Sequence, residues 1–213
     1  MAIDDPGLWC ESGDADWAFG PALFLDRDGV IVADTGYLGR AEDVLLLEGA
    51  AAAIARCNGL GIPVVVVTNQ SGIARGYYEW SGFCAVQAAL MAALAAAGAR
   101  LDAVLACAYH GDGKEPLRIA AHPWRKPKPG MILAAAERMN LDLSRSWIVG
   151  DKADDIAAGA AAGLAGGTLL TADERARQQL SCLERADFAA TTAASLSDAV
   201  TVLIETGRLT GRT

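Results

Sequence analysis

Apolar residues in this chain gather into short unbroken runs, separated by longer stretches in which they recur every three or four positions. Residues 22–25 (ALFL) and 62–67 (IPVVVV) hold no polar position. A strand exposed on one face alternates apolar with polar, whereas an unbroken β-branched run suits a parallel strand covered on both faces. The same reading predicts strands over 101–107, over 147–149 ending at Gly150, and over 167–170, with Phe188 marking one more short strand. Helical spacing predicts helices over 49–58, 79–97, 129–140, 155–163 and 196–205. Gly98 stops the second of these and Pro129 sits in the first turn of the third. Such regular alternation predicts an α/β domain with a mainly parallel sheet. One stretch, 109–127, mixes Gly, Pro and His without periodicity and reads as a loop insertion, a length of loop that usually serves function. With no internal repeat or linker, the expected organisation is an irregular lead-in over 1–20 followed by a single domain over 21–213. Trp9 and Trp17 are the apolar anchors available to hold that lead-in against the body.

Composition narrows the class. A chain of 213 residues can bury about 70% of its unfolded surface and needs no metal or disulfide staple. Hydrophobic residues at 53%, charged residues at 21% and a mean hydropathy of +0.25 exclude a disordered chain. No apolar stretch reaches the ~18 residues that would suggest a membrane span, and the greasiest segment, 85–99, is an alanine-rich helix interrupted by Gln87. The net charge of −8 and pI near 4.7 leave no basic footprint for nucleic acid. Five cysteines never fall in CxxC spacing, and the opening MAIDDPGLWCESG lacks a basic and an apolar export region. Both features predict a cytoplasmic protein. A monomer is expected, since no heptad stripe announces an interface.

In parallel α/β sheets, ligands bind in the crevice beyond the carboxyl ends of the strands. Four predicted strand or loop ends here carry polar residues of a coherent kind. LFLDRDGV sets Asp26 and Asp28 on either side of Arg27, one carboxylate suited to attack and the other to shuttling a proton. VVVVTNQSG puts Thr68 and Asn69 at a strand tip before a small-residue turn, where a hydroxyl and free N–H groups suit phosphate oxygens. Arg125 and Lys126 close the insertion, and IVGDKADD places Asp151 directly after Gly150. Taken singly, these are turns, helix caps (Thr68-Asn69, Asp151 or Asp154) and a solvated basic pair. Taken jointly, they converge on one crevice and favour catalysis.

Over about residues 20–205 the strings LDRDGV, DTGY, TNQSGIARG, RKPKPGM and VGDKADD, in this order, resemble the haloacid dehalogenase-like (HAD) phosphohydrolases. Within them the chain is similar to the branch of heptose bisphosphate and histidinol-phosphate phosphatases. The resemblance implies a Rossmann-like HAD fold with helices on both faces of the sheet and no large cap domain. It implies Asp26 as the nucleophile that becomes an aspartyl-phosphate, Asp28 as the acid and base, Thr68 and Lys126 as stabilisers of the transferring phosphoryl group. Magnesium would be held by Asp26, the main-chain carbonyl of Asp28, and Asp151. Substrate contacts fall on Asp34, Thr35, Gly36, Tyr37, Asn69, Gln70, Ser71, Arg125 and Lys152. The partner is then a small phosphorylated metabolite, with the anomeric phosphate of a heptose 1,7-bisphosphate as the expected target and histidinol phosphate as the alternative. Mg²⁺ fits the physics, because a hard cation offsets the repulsion between a carboxylate and a phosphate dianion.

Many relatives carry a zinc loop in the insertion, a Cys-x-His pair and then Cys-x-Cys. The matching positions here are Cys107, Tyr109, His122 and Trp124. Tyr and Trp are not normal zinc ligands, so zinc is expected to be absent; if bound, Cys107, His110 and His122 would hold it. A non-hydrolytic phosphate-binding or signalling module is the competing class. Such a module has no use for an acid two residues after its acceptor aspartate, so Asp28 separates the two readings.

Overall fold

A computed structural model of the chain describes residues 5–13, 17–173, 180 and 183–210. Its sheet has seven strands: β1 (Leu8–Ser12), β2 (Leu23–Leu25), β3 (Val64–Asn69), β4 (Ala103–Cys107), β5 (Trp147–Gly150), β6 (Gly166–Leu170) and β7 (Ala189–Ala193). They lie in the order β1-β4-β3-β2-β5-β6-β7, all parallel except β1, which runs antiparallel along β4. The helices are α1 (Ala50–Gly59), α2 (Ser71–Arg75), α3 (Trp80–Ala96), α4 (Gly130–Met139), α5 (Ala153–Ala162) and α6 (Leu196–Glu205).

The unbroken apolar runs behave as expected. In β3, Val64 and Val66 face one core layer while Val65 and Val67 face the other; in β2, Leu23 and Leu25 oppose Phe24 in the same way. Side chains from α1, α3 and α6 fill the first layer, and those from α4 and α5 fill the second. Both faces of residues 23–25 and 64–67 are therefore covered, which is why no polar position was tolerated in those runs. Among the described residues no second domain stands over the carboxyl edge of the sheet.

The topology decides where chemistry happens. From β2 the chain winds outward through β3 and β4, then returns to the other side of β2 for β5, β6 and β7. The reversal falls between β2 and β5, where Leu25 pairs with Val149. The residues that follow, Asp26 and Asp151, thus leave the sheet side by side at the switch point.

Two details differ from the expectations. The lead-in is not irregular throughout, because residues 8–12 form β1 and extend the sheet. Trp9 stacks on Trp80 with ring centroids 5.8 Å apart and meets Phe83 edge-on at 5.9 Å. Residues 1–4 and 14–16 of the lead-in lie outside the described residues. The LWCES run lacks alternation, so nothing in it announces a strand; its partner is the exposed edge of β4. Secondly, β3 runs on through Thr68 and Asn69, paired to Ala106 and Cys107, and the short helix α2 follows where a turn was expected.

Candidate active site

Asp26 follows β2 directly and is held by its own N–H donating to the Val149 carbonyl at 3.0 Å. Its carboxylate is buried and ion-paired with the Lys126 ammonium, 2.9 Å away; Lys126 also reaches Asp155 at 2.5 Å. Lys126 is itself only 3% exposed. Burial alone would lower its pKa, but Asp155 and Asp26 outweigh that and raise it, so the ammonium persists. The Lys126 main chain is clamped by Asn69, whose Oδ1 accepts from Lys126 N at 3.1 Å and whose Nδ2 donates to Lys126 O at 3.0 Å. The end of β3 thereby fixes the lysine supplied by the insertion.

Oxygens of Asp26, Asp151 and Asp155 all lie within 4.8 Å of one another. Close approach is built into two glycines. Gly29 turns with φ +80°, and a Cβ there would stand 2.6 Å from Asp151 Oδ2. A Cβ on Gly150 would collide with the Asp155 side chain. Crowding shows in the proton equilibria. Burial, then the charge of Asp26, raises the Asp151 carboxyl above its ordinary range. Burial pushes Asp155 from 3.8 to about 6, against the pull of Lys126 and with a further push from Asp26. Asp151 Oδ1 is buried without any hydrogen-bond donor. Three converging carboxylates with an orphaned oxygen are a hard-donor set that fits Mg²⁺.

Asp28 lies beside this group. Arg27 holds it from Nε to Oδ1 at 3.1 Å and from Nη2 to Oδ2 at 3.0 Å, and Gln70 donates to Oδ2 at 3.1 Å. Thr68 is buried, its hydroxyl accepting from Gln70 Nε2 at 2.9 Å. Above lies a cleft of about 240 Å³ bordered by Asp26, Asp28, Asp34, Gly36, Asn69, Ser71, Arg125, Lys126 and Lys152, together with Asp154 and Asp155. Most of the expected positions therefore do meet around one space. Lys152 bridges Asp34 at 3.2 Å and Asp151 at 3.4 Å. Burial works against its charge, yet Asp151 and Asp34 raise its pKa. Thr35 and Tyr37 do not border the cleft; Tyr37 packs on Tyr77 with ring centroids 4.5 Å apart.

Two residues differ from the reading of the sequence. Gln70, expected to touch substrate, is 2% exposed and spends its amide on protein groups. Asp155 was missed altogether: in GDKADD it reads as one more acid in a helix's first turn, and only the fold shows it beneath Lys126. As N3 of α5 its carboxylate accepts from Lys152 N at 3.0 Å, which turns it back toward the site. In the insertion, Cys107 Sγ and His122 Nδ1 are 4.0 Å apart, while His110 faces Arg75 at 3.2 Å. Among the described residues these three do not form a ligand cluster. The Tyr109 ring stacks on His122 at 4.3 Å, and its hydroxyl donates to Asp5 at 2.9 Å.

A switch-point crevice with carboxylates after β2 and β5 and a buried lysine bonded to the first of them suits phosphate chemistry, and comparison with known proteins gives the family. The family model for HAD-hydrolase-like proteins matches residues 123–199. A D-glycero-beta-D-manno-heptose-1,7-bisphosphate 7-phosphatase of Mesorhizobium japonicum is 52% identical over 170 residues, 79% of this chain and 78% of that protein. One from Rhodopseudomonas palustris is 42% identical over 146 residues, 68% of this chain and 81% of its own. The chain belongs to the haloacid dehalogenase-like hydrolases, in their heptose bisphosphate phosphatase branch. Among solved structures, a Mesorhizobium loti protein assigned as a HAD-like phosphatase is 45% identical, with TM-score 0.86 over 99% of this chain and 98% of that one. The D,D-heptose 1,7-bisphosphate phosphatase of B. bronchiseptica, solved with magnesium and phosphate, is 30% identical, with TM-score 0.73 over 87% and 99%. The relatives are named 7-phosphatases. Their names put cleavage at C7, the primary carbon at the far end of the sugar, whereas the expected target was the phosphate on C1, the anomeric carbon.

Proposed function

We propose that this chain is a magnesium-dependent phosphatase that removes the C7 phosphate of D-glycero-D-manno-heptose 1,7-bisphosphate through an aspartyl-phosphate. The observation that carries this is the meeting of Asp26 and Asp151 at the switch point, with Lys126 bonded to Asp26. Asp26 attacks phosphorus, the bond from phosphorus to the C7 oxygen breaks, and that oxygen takes a proton from Asp28. A water then loses its proton to Asp28 and attacks the aspartyl-phosphate, releasing phosphate and restoring Asp26. Lys126 faces the charge that builds on the transferring group, and Thr68 offers its hydroxyl proton to one of the phosphoryl oxygens. Asp26, Asp151 and the Asp28 carbonyl would hold Mg²⁺, which supplies neutralisation of phosphate charge. Arg125, Ser71, Lys152, Asp34 and Gly36 border the cleft, where the sugar and its second phosphate would lie. The same reading takes the enzyme to act as a monomer in the cytoplasm.

Histidinol phosphate has no observation in its favour beyond shared motifs. The direct test supplies both anomers of the bisphosphate with Mg²⁺ and follows products by ³¹P NMR. Loss of the C7 signal with the C1 signal retained is expected. Loss of the C1 phosphate, or a preference for histidinol phosphate, would reject the assignment.

A further inference from the structure

We propose that Gln70, braced by Tyr78, is a positioning residue that aims both Asp28 and the Thr68 hydroxyl at the phosphoryl group, and makes no substrate contact itself. This rests on the catalytic roles given above to Asp28 and Thr68. The four hydrogen-bonding places of the Gln70 amide are all taken within the protein. Nε2 donates to Thr68 Oγ1 at 2.9 Å and to Asp28 Oδ2 at 3.1 Å. Oε1 accepts from Arg27 Nη2 at 3.1 Å and from the Tyr78 hydroxyl at 2.6 Å.

Only one orientation of the amide satisfies this ring of partners. Arg27 can only donate, so it must face Oε1, which leaves Nε2 to donate to Asp28 and Thr68. A flipped amide would set Nε2 against the Arg27 donor in a buried space. The consequence reaches Thr68. Because its oxygen already accepts from Gln70, its own hydrogen is free to point elsewhere, which makes it a donor toward phosphate. Asp28, held at both oxygens by Arg27 and Gln70, keeps one rotamer beside the cleft.

Tyr78 keeps the ring closed. Its side chain is seated against glycines: a Cβ at Gly39 would lie 2.7 Å from Tyr78 Cγ, and one at Gly72 would collide with its ring edge. Arg27 is fully buried and rests over Phe83, its guanidinium 5.3 Å from the ring centroid. Both outer partners of the amide are thus fixed by packing, and neither borders the cleft.

The test measures phosphate release from heptose 1,7-bisphosphate by wild type, Gln70→Leu, Tyr78→Phe, Asp28→Asn and the Gln70→Leu/Asp28→Asn pair, with melting temperatures alongside. Gln70→Leu should lower kcat by roughly 10²-fold at nearly constant KM, within the range for lost acid–base function. Tyr78→Phe, which removes one oxygen, should lower kcat by several-fold. In the Asp28→Asn background the Gln70 change should cost much less than in wild type, since the two act as one unit. A raised KM with unchanged kcat would make Gln70 a substrate contact and overturn the proposal; so would fully additive losses. If Gln70→Leu does not fold, an unaltered kcat in Tyr78→Phe overturns it instead. A wild type inactive on this substrate would overturn the functional reading on which the positioning role rests.

Discussion

Lys126 shows how one side chain ties the site together, since it neutralises two buried carboxylates that would otherwise repel each other and an incoming phosphate. Removing one partner of such a group leaves uncompensated buried charge. Lys126→Ala should therefore cut kcat by about 10²–10³-fold, the ~2.7–4 kcal/mol typical of a preorganised donor to developing charge. A change confined to KM would reduce it to a binding group. Asp26→Asn should abolish turnover in a phosphate-release assay, because an amide cannot serve as the nucleophile, and a wild-type rate would refute that role. At this scale the sequence was readable where a residue follows a strand directly, as Asp26 and Asp151 do. Reading failed where direction mattered. Gln70 stands in the same string as Thr68 but turns inward, and Asp155 looks like an ordinary helix-start acid until α5 is seen to aim it at Lys126.

Strands β2, β3 and β5 announced themselves because burial on both faces demands unbroken apolar runs. Edge strand β1 did not, since one row of backbone contacts to β4 suffices to recruit a sequence of mixed character. Short α2 was equally hidden, its five residues carrying less than two turns of periodicity. The joint between β5 and α5 is the most exacting element boundary. Gly150 ends the strand where any Cβ would strike Asp155. Gly150→Ala should displace that carboxylate, and overpacking of this kind costs about 1–3 kcal/mol. Calorimetry should show weakened Mg²⁺ binding together with the lower melting temperature. Unchanged Mg²⁺ affinity would mean that Asp155 has no part in holding the cation site.

Across the whole molecule, a net charge of −8 coexists with a site meant for anions, so attraction of substrate has to be local. The cost is visible in Asp155. Its carboxyl in the folded chain binds a proton up to about pH 6, against 3.8 ordinarily. The stabilisation this gives is complete below pH ~4 and gone once pH rises through 6, so at neutral pH the ionised group strains the fold. Asp151, raised in the same direction, adds to the effect. A bound cation would relieve it. At one hundred times its Kd, Mg²⁺ should stabilise the fold by about 2.7 kcal/mol, with roughly 2–4 °C of melting temperature for each kcal/mol. The gain should be large at pH 7.5 and much smaller at pH 5, where protons compete; equal gains at both would contradict the linkage. The most direct measurement is a crystal soaked with Mn²⁺ in place of Mg²⁺ and examined by anomalous scattering. One strong peak is expected at bonding distance, about 2 Å, from carboxylate oxygens of both Asp26 and Asp151. A peak that touches only one of them, or none at the switch point, would contradict it.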